Sequence, residues 1–534
     1  MKTLNFRLIR NLALAGVITL SAASCDHSLD IEPKYDVVSA NVYRDFANYK
    51  PILAKMYAGY AVTGQQGPAG RPDISGIDEG FSNYLRQYWQ AQELSTDEAI
   101  IAWNDGNLRD LHDMDWNPSN EFLRALYNRI YYQVSLTNEF IRETSDNLLS
   151  ERGITGANLE EARRFRAEAR FLRALSYWHA LDLYGNVPFV TENDRVGSFF
   201  PEQTSRTDLF NYVESELLAI ESELGDPRFE YGRADKAAAW TLLTKLYLNA
   251  QVYTGQPRYA DAVTYANKVI NSNQYQLEEE YQHLFLADNH TSREIIFPIT
   301  FDGMRTTTWG GMTYLVHAPV GGNMNAAAFG INGGWGGLRT TKNIVNLFSD
   351  LSGNTDERAM FHTNGQNLEI NDIFTFTDGY PITKYKKVNR AGQAGSDPTG
   401  NHQDSDFPMF RIAVVYLMYA EAVLRGGGGS VATALGYVNE LRRRAYDGPT
   451  GSITQGQLTL DFIISERARE LKWEGHRRTD LIRYDRFTSA AYVWPWKGAV
   501  PEGRGVEAYR SLYPIPSTDL TANPNLTQNP GYGR

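Results

Sequence analysis

The sequence predicts a mostly α-helical protein: a degenerate tetratricopeptide-like scaffold of helical repeats, interrupted by long glycine-rich loop excursions. Apolar residues recur at helical spacing along most of the chain, and tight turns separate several of these segments. Residues 301–400, in contrast, contain 16 of the 45 glycines and little helical pattern. Helix pairs that cannot bury their own apolar faces usually stack on neighbouring pairs, but the spacing here is too irregular for a strict repeat array.

The N-terminal segment has the composition of a secretion signal. Lys2, Arg7 and Arg10 make its start positive, residues 12–20 form an apolar run, and small residues precede Cys25. We therefore predict a lipoprotein signal peptide at 1–24 and a lipidated tether at 25–40, with Cys25 as the lipid acceptor that anchors the chain to a membrane. The alternative for Cys25 is an unmodified thiol near the terminus. Because it is the only cysteine, it can form no disulfide within the chain.

The overall charge argues against a nucleic-acid partner. The formal net charge is −11, and a surface of that sign repels phosphate backbones and anionic lipid surfaces. The 32 tyrosines and 10 tryptophans, on the other hand, supply much amphipathic ring surface.

The helical segments are predicted from their apolar stripes and end signals. The clearest covers residues 158–184, with Asn158 as its N-cap and Gly185 at its end. A helix over 235–253 and a shorter one around 262–270, joined by a turn at 254–257, predict an antiparallel hairpin. Further helices are predicted over 46–62, 120–144, 207–224, 410–424, 431–444 and 460–473. Three tryptophans fall within helical patterns and are expected in the core: Trp178, Trp240 and Trp473.

Residues 41–534 are predicted to form a single domain. Its helical scaffold covers about 41–300 and 408–480, and its loop-rich excursions cover about 65–118 and 301–407. Long turn-rich segments within a helical protein are more often functional than merely connecting. We therefore expect the binding site in these two excursions.

The sequence contains no recognisable catalytic motif. The nine histidines make no His-Glu-x-x-His motif, and Ser and Cys nucleophile motifs are absent. The glycine run at 426–429 lacks the Gly-Lys-Ser/Thr ending of a phosphate-binding loop and is interpreted as a turn between two helices. The sequence therefore predicts a protein without catalytic activity.

Three tryptophans lie in the excursions and are the candidate ligand contacts. Trp103, Trp309 and Trp335 stand in loop-like surroundings, and glycines flank the last two closely. Each one alone is more simply explained as packing under a long loop, but the three together favour a platform for a ligand. The apolar face of a pyranose stacks on an indole, and charged groups such as Asp78 and Arg86 bind hydroxyls strongly.

Several motifs, taken together, resemble the SusD/RagB family of Bacteroidetes outer-membrane lipoproteins along nearly the whole mature length. They are Arg170-Phe171-Leu172-Arg173-Ala174, Leu183-Tyr184-Gly185-Asn186-Val187-Pro188, Gly232-Arg233-Ala234-Asp235-Lys236, Glu466-Arg467-Ala468-Arg469-Glu470, Glu474-Gly475-His476-Arg477-Arg478 and Tyr513-Pro514-Ile515-Pro516. The resemblance implies a SusD-like fold and a lipid-anchored protein of the outer membrane that faces the cell exterior. It also implies a partner, because members sit as lids on SusC-like TonB-dependent transporters.

Further segments are similar to the starch-binding member of that family: Asp78-Glu79-Gly80, Glu93-Leu94-Ser95-Thr96-Asp97-Glu98 and Trp309-Gly310-Gly311-Met312-Thr313-Tyr314. This similarity implies that the aromatic arc of that member falls on Trp103, Trp309 and Trp335, with Trp309 in place of a tyrosine. Its polar sugar contacts then fall on Asp78 and Arg86.

One further contact of that member, an asparagine, falls in a loop that is one residue shorter here. Asn107 is its expected position, with Asn104 as the alternative. Ile101 stands where that member has another tryptophan, outside the arc, so any contact there is lost.

The resemblance implies no required cofactor, but it implies a structural calcium ion. The Asp-x-Asp part of the family's calcium site matches Asp404 and Asp406, and helix capping is the equally good alternative for these two residues. The third matching position is His290, a poor calcium ligand, with Asp288 nearby.

The preferred hypothesis is therefore a receptor for an α-glucan, starch or malto-oligosaccharides. The first alternative is the same fold serving a different glycan or a peptide. The second, from another functional class, is a glycoside hydrolase, which needs two carboxylates flanking the tryptophans; Asp78 alone does not meet that need.

Overall fold

The computed structural model of the protein describes residues 39–533, and its regular structure is mostly helical, as the sequence predicts. The predicted signal peptide at 1–24, Cys25 and nearly all of the predicted tether lie outside the described residues. Residues 39–48, described by themselves, contain the short helix α1 (Ser39–Val42) and a 3-10 turn, Phe46–Asn48. Residues from Tyr49 onward group into one compact unit.

The remaining α-helices belong to this unit. They are α2 (Tyr49–Ala61), α3 (Tyr84–Glu93), α4 (Asp110–Asp113), α5 (Glu121–Glu143), α6 (Asp146–Glu151), α7 (Gly156–Leu183), α8 (Arg206–Ile220), α9 (Lys236–Leu248), α10 (Ala250–Thr254), α11 (Tyr259–Asn271), α12 (Gly311–His317), α13 (Lys342–Val345), α14 (Ile412–Leu424), α15 (Val431–Ala445), α16 (Leu460–Leu471), α17 (Arg477–Arg483) and α18 (Ser517–Ala522).

Capping residues define several helix starts. The Asn120 side chain accepts hydrogen bonds from two backbone N–H groups in the first turn of α5, and Asp235 accepts one in the first turn of α9. Both contacts satisfy donors that have no partner inside the helix. At α7 the predicted cap is wrong: Thr155 holds the N-cap position, and Asn158 lies inside the helix. Gly185, at φ 75°, follows the end of α7 as predicted.

The predicted hairpin forms, with one break. Helix α9 ends at Leu248, and Asn249 separates it from the short α10, so the segment predicted as one helix to residue 253 is two. Helix α9 packs against α11, α11 against α14, and α14 against α15. Helix α5 packs on α7, and α7 on α8. Helices thus stack on their neighbours along the scaffold.

The strands are few and short. Three antiparallel pairs form: β1 (Ile100–Ile101) with β5 (Leu338–Arg339), β2 (Val187–Pro188) with β3 (Gln203–Thr204), and β4 (Ile295–Ile299) with β6 (Phe407–Arg411). Strand β6 occupies the start of the segment predicted as a helix from residue 410, and α14 begins directly after it. None of the helices within residues 39–533 combines the length and apolar character that a membrane span requires.

The two predicted loop-rich excursions differ in how much regular structure they contain. Residues 301–407 are mostly irregular, with only short helices, the two-residue strand β5 and the first residue of β6. The excursion at 65–118, however, contains α3, whose ten residues are all buried. Among the three tryptophans expected in the core, Trp178 and Trp473 are buried, whereas Trp240 is partly exposed and its Nε1 donates to Glu221.

A network of buried salt bridges includes Glu470 of α16. Arg411 forms salt bridges with Glu294, Glu470 and Glu474 at 2.6–2.7 Å, and Arg358 forms another with Glu470. All five side chains are fully buried. Burial raises the pKa of Glu470, but the surrounding guanidinium groups outweigh it and hold that pKa well below its usual value. The family-like motifs at 466–470 and 474–478 thus contribute to a structural network.

The substitution Glu470→Gln tests this network. It keeps the volume but removes the negative charge between buried arginines, so we expect a loss of about 3–5 kcal/mol in the free energy of unfolding at neutral pH. Chemical denaturation measures this loss. Asp146→Asn is the control: Asp146 is 56% exposed and pairs with Arg163 and Arg166, and its loss should cost less than about 1 kcal/mol. Equal effects of the two substitutions would contradict the structural role of the network.

Candidate functional site

The strand pair β1–β5 brings Trp103 and Trp335 together from the two excursions. Ile101 pairs with Leu338, and just beyond the pair the N–H of Ala102 donates to the carbonyl of Gly337 at 2.9 Å. Trp103 follows β1 and Trp335 precedes β5, and the Trp103 indole N–H donates to the Trp335 carbonyl at 3.2 Å. The two ring centroids are 6.2 Å apart, and the ring planes are inclined by 45°.

Trp309 joins them from the segment that leads into α12. The next residues, Gly310 and Gly311, allow this segment to approach the body of the protein closely. A Cβ at Gly310 would lie 2.1 Å from the Asn83 side chain, and Gly311 has φ 51°. The Trp309 and Trp335 rings are 6.4 Å apart at 60°.

We refer to Trp103, Trp309 and Trp335 as the platform. All three side chains are partly exposed, and all three line one open cavity of about 770 Å³. Because adjacent rings are inclined by 45° and 60°, the surface that they form is curved rather than flat. The three tryptophans that the sequence analysis groups as one platform thus share one cavity.

Polar groups form another part of the cavity wall. Asp78 and Arg86 line it, as predicted, together with Asn104 and Asp105. The Asp78 Oδ1 accepts hydrogen bonds from the N–H groups of Gly80 and Phe81, which fixes the carboxylate at the surface.

Arg86 is held rigidly within this wall. Arg86 lies in the first turn of α3. Its guanidinium carbon is 4.5 Å from the centre of the Tyr314 ring and 5.8 Å from the centre of the Trp103 ring. Its Nη1 donates to the Gly80 carbonyl at 3.2 Å, while its Nε has no hydrogen-bond partner among the described residues. Burial lowers the pKa of Arg86, and Tyr314 and nearby carboxylates, including Asp105, oppose that effect. A guanidinium in the wall of a cavity suits an oxygen ligand.

The structure places the two candidate asparagines differently. Asn104 is exposed and lines the cavity. Asn107, the first choice from the sequence, accepts a hydrogen bond from the backbone N–H of Glu121 and donates to the carbonyl of Ser119, so its side chain supports the start of α5. Ile101 is fully buried in β1. Asn104 therefore replaces Asn107 as the candidate contact.

Besides Gly80, which has no side chain, two lining residues were not identified as contacts from the sequence. Phe81 and Asp105 both lie in the cavity wall, and the Phe81 ring packs 4.9 Å from that of Phe122. Neither stands in a pattern that separates it from other loop residues. Only the fold of the 78–86 and 103–107 segments places them there.

The platform rests on buried aromatic rings. Tyr314 of α12 contacts Trp103 edge-on at 5.9 Å, and Trp89 of α3 contacts Tyr314 at 5.8 Å. Trp89 in turn contacts Trp473 at 5.4 Å and donates its indole N–H to the Trp473 carbonyl. The exposed rings are therefore continuous with the core.

The predicted calcium-binding carboxylates have other partners. Asp404 accepts hydrogen bonds from the backbone and hydroxyl of Ser396. Asp406 accepts one from the Tyr231 hydroxyl at 2.6 Å and one from the Phe301 N–H at 2.8 Å, and burial raises its pKa to about 7. Neither residue caps a helix, since β6 follows them. Both carboxylates connect loops.

The other two residues of the predicted calcium site, Asp288 and His290, do not complete a ligand set with Asp404 and Asp406. Asp288 accepts hydrogen bonds from the backbone N–H of Arg390, and His290 is exposed. Among residues 39–533, no three His, Cys, Asp or Glu side chains are grouped so that they could hold a metal ion. Asp404, Asp406 and Asp288 thus do not form a cluster of three carboxylates in the described part of the chain.

Comparisons with known proteins agree with this fold. A family model described as the SusD family matches residues 364–532. The "Starch-binding protein SusD" of Bacteroides thetaiotaomicron is 36% identical over the full length of both chains, and a "SusD-like protein" of Bacteroides ovatus is 22% identical over 97% of each.

Solved structures share the fold at lower identity. Surface glycan-binding protein A from Bacteroides thetaiotaomicron, solved in complex with laminarihexaose, has a TM-score of 0.68 at 20% identity and covers 90% of this chain and 99% of its own. The corresponding protein from Bacteroides uniformis has a TM-score of 0.70 at 19% identity, covering 91% and 99%.

The substitution Gly337→Ala tests the geometry of the platform. A Cβ there would lie 2.6 Å from the Trp103 indole, so the ring must move. In protein labelled with 5-fluorotryptophan, we expect the ¹⁹F signal of Trp103, assigned with Trp103→Phe, to shift. Gly333→Ala is the matched control, because a Cβ there meets nothing within 4 Å. An unchanged Trp103 signal in Gly337→Ala would contradict the close contact between Gly337 and the Trp103 ring.

Proposed function

Because this chain belongs to the SusD family, we propose that it binds a glycan on the platform without catalysing a reaction, and that the glycan is starch or a malto-oligosaccharide. The observation that supports this most directly is the set of three partly exposed indoles lining one cavity. The relative named as a starch-binding protein, which matches over the full length of the chain, supports the choice of ligand.

The chemistry of the cavity suits a neutral sugar. Each indole offers an apolar face to the C–H groups of a pyranose, while Arg86, Asp78, Asp105 and Asn104 can bind its hydroxyls. The carboxylates outnumber the single guanidinium, so an acidic glycan would meet repulsion. A neutral glucan meets none.

The curvature of the platform selects among neutral glucans. With ring planes inclined by 45° and 60°, successive sugars must turn relative to one another to stack on successive indoles. An α-1,4-glucan chain curves in this way, whereas a β-1,4-glucan chain is extended and flat. A β-1,3-glucan also curves, and a structural neighbour was solved with laminarihexaose, so this is the second candidate ligand.

A glycoside hydrolase is the less favoured reading. Asp105 adds a second carboxylate to the cavity beside Asp78. A glycosidase, however, needs one carboxyl group that stays protonated as the acid, usually through burial. Asp78 and Asp105 are both exposed.

The family supports a proposal for the cellular role. We propose that Cys25 carries a lipid that holds the protein on the outer face of the outer membrane, and that the bound glycan passes to a SusC-like TonB-dependent transporter. Labelling cells with a lipid precursor, in wild type and in Cys25→Ser, tests the anchor: label should be incorporated only in the wild type.

Trp335→Ala tests the platform as the binding site. Trp335 contacts both other indoles, so its loss removes a stacking surface and the support of its neighbours. We expect affinity for maltoheptaose, measured by isothermal titration calorimetry, to fall by at least about tenfold. Trp240→Ala, which removes a partly exposed tryptophan outside the cavity, should leave affinity unchanged. Normal binding by Trp335→Ala would reject the platform.

A panel of oligosaccharides tests the ligand class. We expect maltoheptaose to bind, laminarihexaose to bind more weakly, and cellohexaose to give no measurable heat, because only curved chains can stack on inclined rings. Reducing ends are measured in the same samples. Preferred binding of cellohexaose would reject the curvature argument, and release of reducing sugar from maltoheptaose would reject the non-catalytic role.

A further inference from the structure

His317 lies directly behind the platform. It is the last residue of α12 and is 1% exposed, so it is not among the residues that line the cavity. Its ring stacks on Trp335, with centroids 4.8 Å apart and planes inclined by only 23°. Its carbonyl also accepts the backbone N–H of Trp335 at 2.9 Å. The buried imidazole therefore covers the inner face of this indole and leaves the other face for a ligand.

The two ring nitrogens of His317 connect two separate loops. Nδ1 is 2.7 Å from the carbonyl oxygen of Gly333, two residues before Trp335, and Nε2 is 2.8 Å from the carbonyl oxygen of Asn401. Carbonyl oxygens only accept hydrogen bonds, so a neutral imidazole, which has one N–H, donates to one of the two carbonyls, and only the protonated ring donates to both. Burial lowers the pKa of His317, which favours the neutral ring. The imidazole thus lies between the Trp335 loop and the segment around Asn401 and contacts both.

That segment supports the second indole. The Asp397 carboxylate accepts the backbone N–H groups of Thr399, Asn401 and His402, which fixes the turn that follows it. The His402 ring lies 5.2 Å from the Trp309 ring. Trp335 and Trp309 therefore each pack against a histidine, and the 2.8 Å contact between His317 Nε2 and the Asn401 carbonyl connects the two histidine segments.

We propose that His317 is a positioning residue of the platform: it holds the Trp335 indole by stacking and sets its position relative to Trp309 through its contact with the Asn401 carbonyl. The role in ligand affinity rests on the proposed function. The role in placing the indoles does not, because it is a property of the protein without ligand.

The two contacts can be separated by substitution. His317→Phe keeps a ring against Trp335 but loses the polar contacts with both carbonyls, and His317→Gln keeps a donor that can reach a carbonyl but loses the stacked ring. His317→Ala loses both. His290→Ala, at an exposed histidine that does not line the cavity, is the control.

¹⁹F NMR of protein labelled with 5-fluorotryptophan measures the placement without any glycan. We expect the Trp335 and Trp309 signals both to shift in His317→Ala. In His317→Phe the Trp335 signal should stay nearer its native position than the Trp309 signal, and His317→Gln should show the reverse. Unchanged Trp335 and Trp309 signals in the folded variants would overturn the proposal. If His317→Ala does not fold, the signals of His317→Phe and His317→Gln test the proposal instead.

Titration with maltoheptaose measures the consequence for binding. We expect folded His317→Ala to bind about five- to tenfold more weakly, with partial recovery in His317→Phe. Shifted signals with native affinity would overturn the role in binding. If the wild type itself binds no glucan, the proposed function fails, while the NMR signals still report on the placement by His317.

Discussion

A continuous row of aromatic rings connects the core of the protein to its candidate binding surface. Trp473, Trp89 and Tyr314 are fully buried and contact one another at 5.4–5.8 Å, and Tyr314 contacts Trp103, which in turn contacts Trp335 at 6.2 Å. Close-packed interiors hold side chains in single rotamers. Indoles that rest on such a row are ordered before a ligand arrives, so binding loses less conformational entropy. The helical scaffold supplies this rigidity, and the loops supply the exposed faces.

Helices such as α5 and α11 could be predicted from the sequence because each buries one stripe and leaves other positions at least partly exposed. Helix α3 could not, because all ten of its residues are buried, including Arg86 and three glutamines. The Gln90 amide, for example, donates to the Tyr314 hydroxyl, and Gln92 donates to Asp182. Polar residues that are satisfied inside the core remove the periodic pattern on which helix prediction depends. This missed helix is the one that carries Arg86 to the cavity.

The platform was predicted from local surroundings, but its geometry was not. Glycine-rich flanks and the family resemblance identified Trp309 and Trp335, and the four-residue ladder of β1 and β5 then joins segments more than 200 positions apart. No local sequence pattern predicts a strand pair with only two residues in each strand. The same limit explains the choice of Asn107 over Asn104, since only the fold shows that the former supports α5. It also explains the carboxylates at 404 and 406, whose partners come from distant loops.

The claim on which this account depends is that inclined indoles receive consecutive sugars of a curved chain. A crystal structure of the protein soaked with maltoheptaose tests it directly. The account predicts glucose rings lying on Trp309, Trp335 and Trp103 in sequence, with hydroxyls within hydrogen-bond distance of Arg86 and Asp78. A glycan bound elsewhere, or one that touches a single indole while the other two remain in contact with solvent, would contradict it.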